Sequence, residues 1–185
     1  YGADWFELYN AGPATLDLTG WKVDDNSAAF AAAVALRGVT SLAPGQAAVF
    51  MESDAVGAND VTKGAAFLAA WFGASAPAGF NLGFYGGSGI GLGSGGDAVN
   101  IYDGSGTLLA GVSFGAATTG VTFENAAGLS GVISQLSGVG VNQAFLSQAG
   151  AEVGSPGVVP EPTALSLGVV GLATMIFRRR LAVRR

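Results

Sequence analysis

The chain has 185 residues, of which half are hydrophobic and 11% are charged, and this length suits one domain with appended segments. It contains no Cys and no His, which excludes disulfides, thiol nucleophiles, thiolate metal sites and imidazole catalysis. Three basic and 13 acidic residues give the first 177 residues a net charge of −10, and five arginines follow. So acidic a body excludes binding to phosphate backbones, and we expect no nucleic acid as a partner. The 31 Gly favour a turn-rich β fold over a helical bundle.

The first predicted strand is the segment DWFELYN, residues 4–10. Apolar side chains occupy both of its faces apart from Glu7, which predicts a central strand. The segment AGP, residues 11–13, breaks this strand, and TLDLTGWKVDD follows with inward-facing apolar residues, which predicts a hairpin. We expect Trp21 to be buried in the core, so that its replacement by Ala costs roughly 3 to 5 kcal/mol.

Further along the chain, turn residues and one helical pattern separate the remaining strands. Pro44 and Gly45 predict a type II turn with a strand on either side. Residues 60–73 predict a helix that lies across the sheet as a lid, because Phe67 and Trp71 share a face and Gly73 follows them. The clearest predicted hairpin follows, with Val99 and Ile101 on one side of a turn at 103–106 and Leu109, Val112 and Phe114 on the other.

The glycine stretch contains a formal dinucleotide-binding spacing at Gly91, Gly93 and Gly96. That site requires a helix after the last glycine, whose N-terminus receives the pyrophosphate. A predicted strand follows here instead. The pattern therefore favours a turn-rich connection that turns Ile90 and Leu92 inward.

Two groups of acidic residues have side chains that could bind Ca²⁺ weakly. Asp24, Asp25 and Asn26 form one group, and Asp54 with Asp60 forms the other. Their spacing matches no calcium loop, so solvated turns with bonds to the local backbone are favoured. We predict no metal site and no cofactor.

Carboxylates and aromatic residues offer two further alternatives. Asp4 and Glu7 could act as a carboxylate pair for glycoside hydrolysis, but on one strand they point to opposite faces. We therefore predict no catalytic residues. We expect Glu7 to be buried against a backbone or Lys partner. A set of aromatic residues could line a sugar-binding groove, although its spacing favours the core. The set is Trp5, Tyr9, Trp21, Phe67, Trp71 and Phe80.

The C-terminal stretch combines three features in order: Pro-Glu-Pro at 160–162, an uncharged run at 163–177, and a cluster of arginines. A helix over the uncharged run rises by about 22 Å, against a hydrocarbon core of about 30 Å, so it is a short membrane anchor. Arginines remain on the cytoplasmic side, which places the acidic body outside. The alternative is a buried core helix with a basic tail.

This order of features resembles the PEP-CTERM sorting signal of exported proteins of Gram-negative bacteria. The resemblance implies that Pro160, Glu161 and Pro162 form the sorting motif and that Arg178, Arg179 and Arg180 set the topology. It also implies recognition by an exosortase-type membrane protease or transpeptidase that cuts near the triplet. The protein would then sit in the inner membrane with its domain on the periplasmic side, and reach the cell surface or extracellular space after processing.

The body resembles the lamin-tail domain through three segments, residues 4–25, 96–115 and 154–157. The resemblance implies a mainly β fold: an immunoglobulin-like antiparallel β-sandwich with one short inserted helix, here followed by a single C-terminal transmembrane helix. It implies a binding or structural module rather than an enzyme. A strand precedes the Asp-Trp segment in that family, and we expect this chain to be a fragment that lacks it.

The expected domain organisation follows from these two resemblances. Residues 1–157 form the sandwich, 158–162 the motif and linker, 163–177 the transmembrane helix and 178–185 a basic cytoplasmic tail. The expected function is that of an exported, non-enzymatic surface or extracellular-matrix protein. Alternatives are an uncleaved single-pass adhesion module, or an accessory domain of an enzyme with its catalytic part upstream. Expected partners are the protease, membrane lipid, and exopolysaccharide or other surface proteins.

Overall fold

The computed structural model describes residues 2–87, 90–128 and 130–158. Within these ranges the chain is mainly β, with one helix, α1 (Asp60–Phe72). The strands are β1 (Trp5–Tyr9), β2 (Leu16–Asp17), β3 (Lys22–Asp24), β4 (Val34–Ala35), β5 (Ser41–Leu42), β6 (Ala47–Ser53), β7 (Leu82–Gly86), β8 (Asp97–Tyr102), β9 (Leu108–Phe114), β10 (Gly131–Ile133), β11 (Phe145–Leu146) and β12 (Val153–Gly154).

Two sheets face each other across the main core. The first has the strand order β1-β6-β7 and the second the order β10-β9-β8-β3-β4. Phe50 and Tyr85 from the first sheet pack in one buried cluster with Val23 and Ile101 from the second. The smaller pairs β2-β5 and β11-β12 complete the described strands. This arrangement agrees with the predicted β-sandwich.

Helix α1 covers the outer face of the first sheet, as the sequence predicts. Phe67 and Trp71 are almost fully buried there and pack against Val49 and Met51 of β6. Strand β6 therefore has apolar residues on both of its faces, because the first sheet lies between the second sheet and the helix. Gly73 ends the helix with a positive φ of 59°, which a glycine adopts without strain.

An ion pair fixes the N-terminal end of α1 to the sandwich. Arg37 donates from Nε to Asp60 Oδ2 at 2.8 Å and from Nη2 to Asp60 Oδ1 at 2.9 Å. The guanidinium also donates to the carbonyl oxygen of Asp54 at 2.6 Å. This bidentate geometry orients the helix across the sheet, in the position predicted for a lid.

The sandwich is mixed rather than antiparallel throughout, so that part of the predicted fold is wrong. Strand β6 runs parallel to β7, and β9 runs parallel to β10. A parallel pair needs a crossover connection, and α1 provides it between β6 and β7. The sequence pattern of each strand is the same for either direction, since side chains alternate between faces in both.

The hairpin predicted across residues 11–13 is also wrong. Strand β1 pairs with β6, with Phe6 opposite Phe50, while β2 pairs with β5. Strand β3 belongs to the other sheet, where it pairs with β4 and β8. Gly20, between β2 and β3, has a φ of 78° and lets the chain pass from the β2–β5 pair to the second sheet.

Strand β1 lies at the edge of its sheet among the described strands, not at its centre as predicted. Both of its faces are apolar because one meets the second sheet and the other meets α1. Trp5 contacts Phe67 and Trp71, whereas Phe6 stacks on Phe50. Contacts with the second sheet on one face and with α1 on the other therefore give β1 apolar residues on both faces, the pattern from which a central strand was predicted.

Trp21 is half-buried at the margin of the main core, so the predicted full burial is not met. The type II turn predicted at Pro44 and Gly45 is confirmed. Gln46 donates to the carbonyl oxygen of Ala43 at 3.1 Å and Gly45 has a φ of 74°, as a type II turn requires, and strands β5 and β6 flank this turn.

Strands β8 and β9 form the predicted hairpin. Asp103 closes its turn, because its Oδ1 accepts from the backbone of Ser105 at 2.8 Å and of Thr107 at 2.9 Å. The glycine stretch is followed by β8 and not by a helix, and Ile90 is buried in the main core. The turn-rich interpretation of that stretch is therefore confirmed. Leu109, predicted to return to the core, is 44% exposed.

Candidate functional site

In the acidic groups considered for Ca²⁺, Asp24 and Asp54 accept hydrogen bonds from nearby backbone, and Asp60 pairs with Arg37. Asp24 Oδ2 accepts from the Ser27 hydroxyl at 2.7 Å and from the backbone of Ala29 at 2.6 Å. Asp54 accepts from three backbone amides of the loop before α1, and these bonds lower its pKa to about 2. In the described part of the chain, no group of three or more acidic, His or Cys side chains could hold a metal ion.

Asp4 and Glu7 make separate contacts, as their spacing predicts. Asp4 Oδ2 accepts from the backbone of Leu92 at 2.9 Å, and Glu7 Oε2 accepts from the backbone of Gly157 at 2.5 Å. The predicted backbone partner of Glu7 is thus confirmed. Because the two carboxyls point to opposite faces of β1, they do not form a pair for glycoside hydrolysis.

The outer edge of β1 presents backbone groups in strand geometry. Asp4 accepts from the backbone of Glu52 and Asn10 donates to Gln46, so the even-numbered residues of this strand bond to β6. Alternation along an antiparallel pair directs the N–H and C=O groups of the odd-numbered residues away from β6. Among the described residues, no backbone group bonds to these outward groups. They belong to Trp5, Glu7 and Tyr9.

A groove of about 740 Å³ runs along this edge. One wall is the whole of β1. Ala110–Val112 and Phe114 of β9 and residues 120–128 also line it. Residues 152, 155 and 158 are among its lining residues as well. We call this feature the acidic groove, for the carboxyl groups described next.

Glu7 is the central carboxyl of the acidic groove. Burial of its half-buried side chain raises its pKa to about 7, against the opposing effect of the Gly157 amide. The negative charge of Glu124, which also lines the groove, raises the pKa of Glu7 further. A carboxyl in this state exchanges its proton near neutral pH, and its charged form gains from a cationic partner.

Three other carboxyls line the acidic groove. Burial raises the pKa of Glu124, and its Oε2 is buried without a described hydrogen-bond donor. Burial raises the pKa of Asp4 as well. Glu152 is buried, and its Oε2 accepts from the Ser147 hydroxyl at 2.5 Å. No Lys or Arg is among the described residues that line the groove, so its walls carry charge of one sign.

Sequence reasoning placed Asp4 and Glu7 but missed Glu124 and Glu152. One signal for Glu124 was available, because it is the only charged residue between Asp103 and Glu152. A single charged residue in so long an uncharged stretch indicates a position where its carboxyl group has a particular role. Its proximity to Glu7 depends on the path of the chain between β9 and Glu124, which no local pattern encodes.

The aromatic set divides as the core alternative predicts. Phe67 and Trp71 are buried under α1, where Trp5 and Phe80 pack against them. Tyr9 is 37% exposed at the end of β1 and lines the acidic groove. The set therefore stabilises the layer between helix and sheet, and it does not form one exposed stacking surface.

The predicted sorting and topology residues lie outside the described residues. They are Pro160, Glu161, Pro162, Arg178, Arg179 and Arg180. The predicted transmembrane helix at 163–177 also lies outside them. None of the helices within the described ranges has the length and apolar character needed to cross a membrane.

The described residues form a β-sandwich with an inserted helix, and the groove lies beside β1. The family model described as Lamin Tail Domain matches residues 1–116, which is more than half of the chain. The chain belongs to this family. No curated protein and no solved structure matched it. The matched region ends just after β9, so β1 and β9 belong to the family match while residues 117–158 extend beyond it.

Proposed function

We propose that this protein is an exported, non-enzymatic surface or extracellular-matrix protein, held in the membrane by a PEP-CTERM-type C-terminal signal until an exosortase-type protease processes it. The observation that carries the proposal is the order of three features near the C-terminus: VPEP at 159–162, an uncharged run at 163–177, and arginines from 178 onward. Such a run holds a chain in a bilayer only marginally, which suits a holding step before cleavage.

Charge supports the orientation in this proposal. The five terminal arginines resist passage through the membrane and stay in the cytoplasm. The body before them has a net charge of −10 and faces the periplasm. Membership of the lamin-tail family supports a binding or structural role for that body, and the chain lacks the Cys and His residues on which many catalytic sites rely.

The position of the motif relative to the folded body supports access for a protease. The backbone of Gly157 is bonded to Glu7, and Val158 lies in a turn closed by its own bond to Ser155 at 3.1 Å. Pro160 and Pro162 follow within a few residues. Proline fixes φ and disfavours helix in the residue before it, so the two rings favour the extended backbone that a protease binds.

Glu161→Ala tests the proposal. In a host with the exosortase, we expect this variant to be exported and membrane-associated at full-length mass, while the unaltered chain loses its C-terminal segment. Asp17→Ala, which changes an exposed carboxyl of the body, is the matched control and should mature normally.

A second variant tests the topology. Replacing Arg178, Arg179 and Arg180 with Ser should weaken membrane retention and orientation, measured by fractionation and protease accessibility. Identical full-length, membrane-bound protein in hosts with and without the exosortase would contradict processing and indicate a permanent anchor.

A further inference from the structure

Residues 155–158, the last described part of the chain, are bonded to the body. The backbone N–H of Gly157 donates to Glu7 Oε2 at 2.5 Å. The backbone N–H of Val158 donates to the carbonyl oxygen of Ser155 at 3.1 Å, which closes a turn. We call residues 155–158 the docked segment.

Packing also holds the docked segment in place. Pro156 is buried, and Gly157 lies so close to the ring of Phe80 that a Cβ at position 157 would overlap it. Phe80 packs in turn against the core cluster under α1. The side chain of Glu7 extends from the same face of β1 as that of Trp5, because side chains two residues apart share a face. The docked segment therefore uses a face of this strand and not its outer edge.

The docked segment ends very close to the proposed sorting motif. Only Val159 separates Val158 from Pro160. At about 3.5 Å a residue, Pro160 is at most about 7 Å from Val158, and Thr163, where the uncharged run begins, is at most about 18 Å away. Lipid headgroups take up roughly 5 to 8 Å of this distance. The remaining gap of about 10 to 13 Å between body and membrane is only as wide as one helix with its side chains.

We propose that the docked segment regulates the processing of the C-terminal signal, because the protease cleaves only chains in which residues 155–158 have left β1 and Phe80. This inference rests on the proposed function. The two prolines favour an extended backbone within the motif, whereas the residues just before it are bonded to the body and closed to a protease cleft. Undocking frees four more residues and raises the largest separation of the body from the uncharged run to about 32 Å.

Local opening of the docked segment then sets the rate of cleavage. Segments at the end of a domain open at a smaller free energy than the whole domain needs to unfold. Where opening and closing are faster than cleavage, the rate of cleavage follows the population of the open form. A change that weakens docking should therefore accelerate maturation, and a longer connection to the motif should remove the effect of docking.

Gly157→Ala weakens docking without changing the length of the chain. Its Cβ would overlap the ring of Phe80, and the φ of 75° at this position is strained for Ala. In a host with the exosortase, we expect pulse-chase labelling to show maturation at least about fivefold faster than that of the unaltered chain. Gly45→Ala is the matched control, because its φ of 74° imposes similar backbone strain with no atom within 4 Å of the added Cβ. It should mature at the unaltered rate.

A spacer tests whether docking acts through the distance between body and motif. About six Gly and Ser residues inserted between Val158 and Val159 add up to about 21 Å and should accelerate maturation by a similar factor. Adding Gly157→Ala to the chain with this spacer should give no further increase. The same spacer between Arg180 and Leu181 leaves the distance from body to motif unchanged and should leave the rate unchanged.

Amide hydrogen exchange of the full chain in detergent measures docking without the protease. The amides of Gly157 and Val158 should be protected in the unaltered chain, and Gly157→Ala should speed the exchange at both positions. Free exchange at both positions in the unaltered chain, or equal rates of maturation for the unaltered, Gly157→Ala and spacer chains, would overturn this inference alone. Absence of maturation in all of these chains would contradict the proposed function, and this inference with it.

Discussion

Replacement of Glu7 by Gln should stabilise the protein, and the gain should depend on pH. In the folded state burial raises the pKa of this carboxyl from 4.5 to about 7. Between these two values the unfolded chain releases the proton that the folded chain retains, so the folded state loses stability as the pH rises. Above pH 7 the loss is complete. Gln is neutral throughout and keeps an oxygen that can accept from the Gly157 amide.

The size of the effect follows from the two pKa values. Their difference corresponds to roughly 3 kcal/mol of unfolding free energy as an upper bound. Solvent around the half-buried side chain reduces this, so we expect the variant to be more stable by about 1 to 3 kcal/mol at pH 8. At pH 4 the unaltered side chain is protonated in the folded state, and the gain should be small.

Urea unfolding followed by Trp fluorescence at several pH values between 4 and 8 measures this difference. Asp17→Asn is the matched control, because hydrogen bonds to Thr19 lower the pKa of that exposed carboxyl, and its loss should act in the opposite direction. A stability difference for Glu7→Gln that is constant across this range, or a variant that is less stable at pH 8, would refute the assigned environment of Glu7.

Two further predictions concern the cores. Trp71→Ala should lower the free energy of unfolding by roughly 3 to 5 kcal/mol, because this side chain is 1% exposed and contacts Trp5 and Phe145. Trp21→Ala, at the margin of the main core, should lower it by only about 1 to 2 kcal/mol. Equal losses for the two variants in urea unfolding would contradict this order. Gly83→Ala should cost at least about 1 to 3 kcal/mol, because its Cβ would overlap the ring of Phe50 and lie 2.9 Å from the Arg37 carbonyl oxygen. Gly95→Ala, with open space around its Cβ, should change stability by less than about 0.5 kcal/mol, and a similar loss at both sites would contradict the packing around β7.

Local patterns predicted the elements whose contacts are close in sequence. The aromatic spacing in α1 and the Asp-Gly turn of the β8–β9 hairpin each depend on a few neighbouring residues. Pro44 and Gly45 likewise determine their own turn, because the allowed φ angles of these two residue types are a local property. Membership of a β-sandwich family was predicted from the segments 4–25 and 96–115, which lie within the matched region.

The remaining features depend on contacts between distant residues. The side-chain pattern of β1 was the same for a central strand and for an edge strand covered by two layers, so it could not distinguish them. Glu7 and its partner Gly157 are 150 positions apart, and Glu124 reaches the groove only through the path of the chain that follows β9. The spacing of residues in the sequence does not indicate which distant residues come into contact. The acidic groove was therefore identified only from the folded structure.

The bond between Gly157 and Glu7 also constrains the order of folding. The β8–β9 hairpin closes over a turn of a few residues and can form as soon as that segment is free in solution. The last turn of the body docks on β1 across a separation of 150 positions, and such distant contacts form slowly. The environment of β1 is therefore complete only after the end of the body has docked on it, and until then Glu7 is hydrated.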